Sequence, residues 1–347
     1  MSLQAELDRI VDTEHGRDDV HEVALGVLDA ETWTHACRGN WQGQPVGPDT
    51  PFLIASTSKL LVTAMLLQLV GEGHLALDDS LGRFFAPGEL DRLHLWKGTD
   101  FTSRITLRHL LTHTSGLPDY FEGKRRDGST LAVRLFEGHD QAFGLAEVLA
   151  WTRDEMHPSF PPGTGMKALY SDTNFHLLTE VIVRSRGQDI DKALASRIAH
   201  PLGLKSTAFY KPGMGALPLR YGSRVVEIPF ALSSMPGDGG AVSCLEDLAR
   251  FTSAFFSGAL FPRAMLEELA PWRRIFFPLQ TGTGVLRFAV PRWLPPFRQG
   301  LEFIGHSGIT GTLAFACPPR GRIIVANVNQ LQGRSRPYKM MIKAALA

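Results

Sequence analysis

The sequence predicts an α+β fold in which both chain ends build one antiparallel sheet with flanking helices, and a mainly helical lobe is inserted between them. Strand-like patterns occur near the N-terminus and return from about residue 221, whereas helical patterns dominate the middle of the chain. Strands contributed by both termini leave the intervening helices to form a lobe of their own. The 347 residues are enough to bury a large core in one extended domain or two intergrown lobes.

The N-terminal segment is polar, and the first strands follow it. Residues 1–19 carry many charges and lack the apolar core of a secretory signal, so we interpret them as a polar leader that precedes a single domain of residues 20–347. A cytoplasmic location is expected if the chain is complete, and a periplasmic or secreted one if a signal was removed. Val23, Leu25 and Val27 alternate before a turn, which predicts an antiparallel hairpin with residues 32–37.

A strongly apolar helix is predicted to begin at Ser56. Its residues 60–70 include only Thr63 and Gln68 as polar side chains, and glycines follow. A helix that is apolar on nearly all sides is expected in the centre of the protein.

The inserted lobe is assigned to residues 76–220, and the α/β lobe to residues 20–75 and 221–347. Within the inserted lobe, residues 122–141 are polar and weakly periodic, which favours a surface loop or lid over a linker. Amphipathic patterns predict helices in this lobe at residues 106–112, 145–152 and 174–186.

The C-terminal region alternates between apolar runs and turns. Its strands are predicted at residues 303–306, 313–317 and 323–329, and a last helix at residues 337–347 packs on the sheet. Residues 276–297, like residues 122–141, are expected to shape a substrate pocket, but their sequence carries no interpretable specificity code.

Composition excludes several classes of function. A net charge of +1 and the lack of a basic stripe give no basis for nucleic-acid binding. No apolar run reaches the ~18 residues of a membrane span. The three cysteines have no paired spacing, so neither a disulfide framework nor a zinc cluster is predicted. His109 and His113 have the spacing of a metal pair but lack the accompanying glutamate, so we expect no metal and no cofactor.

Ser56 and Lys59 form the Ser-x-x-Lys motif, at a spacing that places the two side chains on one face of a helix. A serine hydroxyl is a weak nucleophile until a neighbouring base accepts its proton. A lysine in an apolar helix loses part of its preference for the charged form and can act as that base. A capping serine followed by a lysine on the helix surface is the structural alternative.

Two later segments add to this motif. Residues 170–174 read Tyr-Ser-Asp-Thr-Asn, and residues 305–312 read Gly-His-Ser-Gly-Ile-Thr-Gly-Thr. With the three motifs in this order, the chain resembles the serine β-lactamase and penicillin-binding protein superfamily, in particular its branch of class C β-lactamases, D,D-peptidases and carboxylesterases. Secondary hallmarks of that branch occur at residues 110–118, 201–204 and 239–243.

The resemblance implies a set of catalytic roles. Ser56 is expected to attack an ester, lactam or amide carbonyl and form an acyl-enzyme that water hydrolyses, while Lys59 holds or accepts the serine proton. Tyr170 matches the tyrosine that relays protons, and it needs cationic neighbours such as Lys59 and His306 to favour the phenolate. His306 stands where many relatives have lysine, and its charge depends on pH.

The resemblance also implies the groups that bind the substrate. The backbone N–H groups of Ser56 and Ile309 are expected to form the oxyanion hole. Ser307 matches the position whose hydroxyl contacts a substrate carboxylate. Gly308 allows the backbone of the substrate to approach closely.

Asp172 departs from the pattern, because this position is usually asparagine. An asparagine amide can donate a hydrogen bond to a substrate carbonyl, whereas an ionised aspartate only accepts. Asp172 can pair with Lys59, which raises the pKa of the lysine, or it can bind a substrate amine. Asn174 lies two residues later and is expected to point elsewhere on the helix.

The resulting hypothesis is a serine hydrolase that acts on a small-molecule or peptide acyl substrate, with esterase activity favoured. The alternatives are a D,D-carboxypeptidase, a β-lactamase, or a D-aminopeptidase or amidase in which Asp172 binds an ammonium group. The alternative outside enzymes is a degenerate relative that keeps the fold as a peptide-binding or scaffolding module. The sequence leaves the oligomeric state open.

Overall fold

A computed structural model describes residues 2–262, 264–266, 271–290 and 300–347, so residues 291–297 of the predicted pocket loop lie outside the described residues. The strands of the described part are β1 (Val23–Asp29), β2 (Thr32–Arg38), β3 (Asn40–Trp41), β4 (Gln44–Pro45), β5 (Phe52–Leu53), β6 (Leu95–Trp96), β7 (Thr99–Asp100), β8 (Ala208–Phe209), β9 (Arg220–Tyr221), β10 (Arg224–Val225), β11 (Ala241–Ser243), β12 (Arg273–Phe276), β13 (Leu279–Thr281), β14 (Leu286–Val290), β15 (Leu301–Ser307), β16 (Thr312–Cys317) and β17 (Arg322–Asn327).

The main sheet joins the two ends of the chain. Among the described residues it has eight strands in the order β12-β13-β14-β15-β16-β17-β1-β2, and every neighbouring pair is antiparallel. The join lies between β1 and β17, where Ala24 is opposite Asn327. The predicted α+β class, with a sheet made from both termini, is therefore confirmed.

Helices cover the sheet and fill the inserted region. Short 3₁₀ turns are formed by Ala55–Thr57, Leu81–Phe84, Thr102–Arg104 and Pro318–Arg320, and π-helical turns by Trp151–Glu155 and Ala195–Ala199. The α-helices of the described residues are α1 (Leu3–His15), α2 (Ser58–Gly71), α3 (Leu107–Leu111), α4 (Leu131–Phe136), α5 (Leu145–Ala150), α6 (Asp172–Arg186), α7 (Ile190–Leu194), α8 (His200–Leu202), α9 (Pro229–Ser234), α10 (Leu245–Ser257) and α11 (Arg336–Leu346).

The two faces of the sheet are covered by different helices. Side chains alternate along each strand, so Leu313 and Phe315 of β16 point to the α1 and α11 side, while Ala314 points to the opposite side, where α10 packs. Helix α2 lies in the larger core on that opposite side, as its apolar sequence predicts, and its Lys59 is buried there together with its leucines.

The N-terminal segment corrects one prediction. Residues 1–19 were expected to precede the domain as a polar leader, but α1 packs on β1, β2 and α11. Leu7, Ile10 and Val11 of this helix are at most 1% exposed and belong to the core. Charged side chains dominate the composition of the segment, but these three apolar residues lie at helical spacing and form one buried stripe.

The predicted helix start at Ser56 is also shifted. Ser56 lies in the 3₁₀ turn Ala55–Thr57, and α2 begins at Ser58. The turn follows β5, which pairs with β11 and thereby fixes the approach to Ser56. None of the described helices is long and apolar enough to cross a membrane.

Candidate active site

The turn that carries Ser56 is held against the end of β15. Ala55 has a left-handed φ of +45°, a costly conformation for a residue with a Cβ atom. A Cβ atom added at Gly308 would lie 2.3 Å from the carbonyl oxygen of Ile54. Gly308 therefore lets the strand end approach the Ser56 turn, which is a structural reason for glycine in addition to the expected contact with substrate.

Lys59 lies next to Ser56. Its Nζ atom donates to Ser56 Oγ at 3.0 Å and to the backbone carbonyl of Asp238 at 2.5 Å. The same Nζ atom lies 2.5 Å from Oδ1 of Asp172. The expected proximity of Ser56 and Lys59 is therefore present, and Lys59 also joins Ser56 to Asp172.

The Lys59–Asp172 pair determines the charge at this position. Burial favours the neutral lysine, but the interactions with Asp172, Tyr170 and Asp238, of which Asp172 is the strongest, together outweigh burial and hold the pKa of Lys59 above its ordinary value. Burial raises the pKa of the Asp172 carboxyl to about 6, against the opposing effect of Lys59. The interaction suspected from the sequence is thus made, and Lys59 carries its proton in the resting site.

Tyr170 packs over the same lysine. The centre of its ring lies 5.3 Å from Lys59 Nζ. The ring is also stacked on the imidazole of His113, with centroids 4.5 Å apart. Burial raises the pKa of Tyr170, and the lowering effect of Lys59 does not offset it. The side chain is therefore a phenol at neutral pH and can donate its proton.

His306 corrects a further expectation, because it supplies no positive charge to Tyr170. It is 1% exposed, and burial lowers its pKa to about 3, with Lys59 adding repulsion. Its Nδ1 atom lies 2.9 Å from the carbonyl oxygen of Ser307, which acts as acceptor, so the neutral ring carries its proton on Nδ1. A nearby carboxylate would be needed to keep this ring charged, and the side chains around it provide none within ion-pair distance among the described residues.

His113 is a site residue that the sequence reasoning missed. It has a left-handed φ of +55° and accepts the backbone N–H of Ser171 at its Nδ1 atom. Asn174 lies 3.2 Å from the same atom and also accepts from Ser115 at 2.7 Å, so it points away from Ser56, as expected. His113 lies within the hallmark segment 110–118, and this position was the one sequence feature that could have indicated its role in the site.

A buried acidic group was missed as well. Asp238 is 2% exposed and accepts a hydrogen bond from the hydroxyl of Tyr120 at 2.5 Å. Asp119 accepts the backbone N–H of Asp172 at 3.1 Å, and burial followed by the charge of Asp172 raises the pKa of its carboxyl well above the ordinary value. Asp238 lies in the glycine-rich segment 237–240, and only the fold brings that segment to Lys59.

Two cavities meet at Ser56. The smaller, of about 40 Å³, has mainly apolar walls, and Asp172 and Asp238 are among its lining residues. The larger, of about 480 Å³, opens to solvent between β15, α11 and the β12–β13 turn. Phe277 on this turn is 85% exposed and lines the mouth of the larger cavity.

The groups expected to bind substrate lie around these cavities. Ile309 lines both, and its backbone N–H makes no hydrogen bond to any described residue, so it is available to an oxyanion. Ser307 and Gly308 line the larger cavity with Ser56. The hydroxyl of Ser307 lies 2.5 Å from that of Tyr338 on α11.

Comparison with known proteins identifies the family of this chain. The model of the beta-lactamase family matches residues 7–346. This chain belongs to the beta-lactamase family. This is the family that the residues around Ser56, Tyr170 and His306 indicated.

Two curated relatives differ in the reaction that their names state. The D-alanyl-D-alanine-carboxypeptidase/endopeptidase AmpH of Escherichia coli is 26% identical over 245 residues, which cover 70% of this chain and 59% of AmpH. Esterase EstB of Burkholderia gladioli is 34% identical over 215 residues, which cover 60% of this chain and 52% of EstB. The matches thus span little more than half the length of these relatives.

Solved structures agree in fold. A D-stereospecific amidohydrolase from Streptomyces sp. matches with a TM-score of 0.78 and 24% identity over 99% of this chain and 98% of its own. A penicillin binding protein from Bacillus halodurans matches with a TM-score of 0.71 and 20% identity over 96% of this chain and 98% of its own. At these identities the likeness establishes the fold and leaves the substrate open.

Proposed function

We propose that this beta-lactamase family member is an esterase that forms an acyl-enzyme on Ser56 and prefers neutral esters with a short acyl group and a bulky apolar alcohol. The observation that carries the proposal is the charge of the site. The negative charge of Asp172 compensates the positive charge of Lys59, and the buried His306 is neutral. Neither base therefore offers a free positive charge to a substrate carboxylate.

The two cavities suggest where the parts of an ester bind. The acyl group stays attached to Ser56 while water reacts, so a small apolar cavity beside Ser56 suits a short acyl chain. The alcohol must leave after the first step, which the larger cavity permits because it opens to solvent. Phe276, Phe288 and Tyr338 give that cavity aromatic walls.

The proposed proton path uses the contacts of Lys59. As Ser56 Oγ attacks the ester carbonyl, its proton moves to Lys59 Nζ while Lys59 passes one of its own to Asp172 Oδ1. A carboxyl whose pKa is about 6 suits this role near neutral pH. Tyr170 then donates its phenolic proton to the departing alkoxide and regains one from the Lys59–Asp172 pair. Water then attacks the acyl carbonyl and gives a proton to Tyr170, which passes its own to the Lys59–Asp172 pair. That pair returns a proton to Ser56 Oγ as its bond to the acyl group breaks and the acid leaves.

The first experiment compares p-nitrophenyl butyrate with benzylpenicillin. The wild type is expected to have the higher kcat/KM for the ester, and Ser56→Ala is expected to lose the ester hydrolysis while keeping its circular dichroism spectrum and Tm. Ser196→Ala is a matched control, because it removes the hydroxyl of an exposed serine in the π-helical turn Ala195–Ala199. Retained hydrolysis in folded Ser56→Ala, or a wild type that prefers benzylpenicillin, contradicts the proposal.

A second candidate, a D-amino-acid amidase, is favoured by one observation at Asp238. Its Oδ1 atom is buried with no hydrogen-bond donor among the described residues, and its side chain lines the smaller cavity with Ser56 and Asp172. His176 approaches only the other oxygen, at 3.6 Å. An ammonium group on the acyl part of a substrate would supply the missing donor.

Paired substrates separate the two candidates. D-alanine p-nitroanilide carries the free ammonium group, and N-acetyl-D-alanine p-nitroanilide lacks it. Faster hydrolysis of the free amine than of p-nitrophenyl butyrate, with loss of the gain in Asp238→Asn, would select the amidase. Equal and slow hydrolysis of both anilides would select the esterase.

A further inference from the structure

The smaller cavity beside Ser56 shares part of its lining with a third cavity. The smaller cavity measures about 40 Å³ and the third about 450 Å³, and both are lined by Leu53, Leu219, Ile228 and Leu232. We call these four side chains the partition. Ser56 lines the smaller cavity and does not line the third, so a path from the catalytic serine into the larger space passes the partition.

The partition is assembled from three segments that are distant in sequence. Leu53 belongs to β5, Leu219 precedes β9, and Ile228 and Leu232 lie just before and within α9. The backbone carbonyl of Leu219 accepts the N–H of Val226 at 2.8 Å, which fixes its position. Leu53, Leu219 and Ile228 are at most 6% exposed and belong to one apolar cluster, against which Leu232 packs.

The third cavity has the chemistry of a site for an alkyl chain. Met214, Leu217 and Val226 are among its lining residues, and it opens to solvent. Glu227 lines it as well, but this residue is exposed, so its charge can remain in water. Each methylene that moves from water onto an apolar surface increases binding about fourfold.

The sizes of the two cavities show where an acyl chain would stop. A short acyl group on Ser56 fills the smaller cavity, and the next carbon atoms of a longer chain would meet the partition. All four partition residues are aliphatic, so they close the cavity by packing alone. A leucine that is truncated to alanine leaves a space that its neighbours refill only partly.

We propose that the partition sets the length of the acyl group that the esterase accepts, and that the third cavity receives the end of a longer chain once a partition side chain is shortened. Leu219 and Leu232 are thereby specificity-determining residues. This inference rests on the proposed function, because it concerns the acyl part of the same ester substrate.

The test measures kcat/KM for p-nitrophenyl butyrate and p-nitrophenyl octanoate, which share a leaving group and differ only in acyl length. Wild type is expected to prefer the butyrate. In Leu219→Ala the ratio of octanoate to butyrate is expected to rise at least about tenfold, close to the gain from two buried methylenes. Both values come from one variant, so a smaller folded fraction cancels in the ratio.

Two leucines that each line one of the cavities supply matched controls. Leu217 lines only the third of the two and is 3% exposed, so Leu217→Ala should keep the wild-type ratio. Leu331 lines only the smaller of the two and is 5% exposed. Leu331→Ala adds only the room of the atoms it removes, so its ratio should rise less than that of Leu219→Ala.

Leu232→Ala keeps the inference testable if Leu219→Ala does not fold. Leu232 is only partly buried and alanine suits its helix, so this variant should fold and show a rise in the same direction. The inference is overturned by a ratio that is unchanged in the partition variants, by an equal rise in either control, or by a wild type that hydrolyses both esters equally. The proposed function fails separately, when Ser56→Ala retains butyrate hydrolysis or wild type prefers benzylpenicillin.

Discussion

Lys59 and His306 are two buried bases on opposite walls of the same site, and their charges differ. Lys59 is 0% exposed and His306 is 1% exposed, so burial disfavours the charged form of both. Lys59 stays charged because Asp172 lies 2.5 Å from its Nζ atom, whereas His306 faces a backbone carbonyl and is neutral. The comparison teaches that the partner, more than the depth of burial, decides the charge of each wall.

The walls therefore differ in what they can do. The wall formed by α2, α6 and the residues just before α6 holds Lys59, Tyr170 and Asp172. It can take up the proton of Ser56 and give one to the leaving group, so its net charge is restored at the end of acylation. The wall formed by β15 and α11 holds His306 and the Ser307–Tyr338 pair, and it presents neutral groups to the substrate. Mutations in the two walls should therefore change activity, stability and pH dependence in different ways.

The largest effect is expected from removing the positive charge of Lys59 from the wall that also holds Tyr170 and Asp172. Lys59→Met should lower kcat/KM for p-nitrophenyl butyrate by about a thousandfold, because it removes the proton carrier. It also leaves Asp172 buried without a partner, which is expected to cost about 3–5 kcal/mol of unfolding free energy. Denaturant titration and steady-state kinetics measure the two effects.

A double variant separates stability from catalysis at Lys59. Lys59→Met with Asp172→Asn removes the unpaired charge, so it should regain most of the lost stability and none of the activity. Recovery of activity in the double variant would show that Lys59 is needed only to neutralise Asp172.

Tyr170 is expected to have the next largest effect. Tyr170→Phe keeps the stack on His113 but removes the phenolic proton, so kcat/KM should fall about a hundredfold. Combined with Lys59→Met, the loss should be much smaller than the product of the single losses, since residues that act as a unit are not additive. Multiplicative losses would count against a shared proton path.

Asp172 should have a smaller effect that depends on pH. Because burial raises the pKa of its carboxyl to about 6, the group is ionised above that pH and can accept a proton only there. Wild-type kcat/KM for the ester should therefore rise through about pH 6, and Asp172→Asn should lose this step and about tenfold of the activity at pH 8.

The same substitution tests specificity, because asparagine restores an N–H donor. The ratio of benzylpenicillin to ester turnover should rise in Asp172→Asn. An unchanged pH profile together with an unchanged ratio would show that Asp172 is a tolerated variant with no bearing on the reaction.

The smallest effect concerns the stability of the neutral wall. Folded His306 has a pKa of about 3, while the unfolded side chain titrates near 6.5, so the unfolded state binds more protons below pH 6.5 and stability is lost as the pH falls. Between pH 7 and 5.5, wild type should lose about 1 kcal/mol more unfolding free energy than His306→Gln, which has no such proton to bind. Parallel pH curves would show that the pKa of His306 is not lowered in the folded protein.

Sequence patterns could predict the architecture and the wall that holds Lys59, Tyr170 and Asp172, because both depend on short-range spacing. The i, i+3 relation of Ser56 and Lys59 and the alternation in β1 and β15 are local, and the Asp172–Lys59 contact followed from the position of Asp172 in its motif. The core role of α1 was missed because composition masked a stripe of three apolar residues.

The rest depends on contacts between distant segments. Asp238 reaches Lys59 from a turn 179 residues away, and Tyr338 reaches Ser307 across 31 residues. The neutral state of His306 follows from burial, which a motif does not report. No residue pattern around these positions encodes such pairings, and only the packed fold establishes them.

The most direct test of the charge account uses two esters of nearly equal shape. p-Nitrophenyl butyrate ends its acyl chain in a methyl group, and mono-p-nitrophenyl succinate ends it in a carboxylate. If Asp172 and Asp238 border the acyl cavity and Lys59 is already paired, kcat/KM at pH 8 should favour the butyrate at least about tenfold, the effect of one unfavourable charge. Equal values, or faster hydrolysis of the succinate by a Ser56-dependent route, would contradict the account.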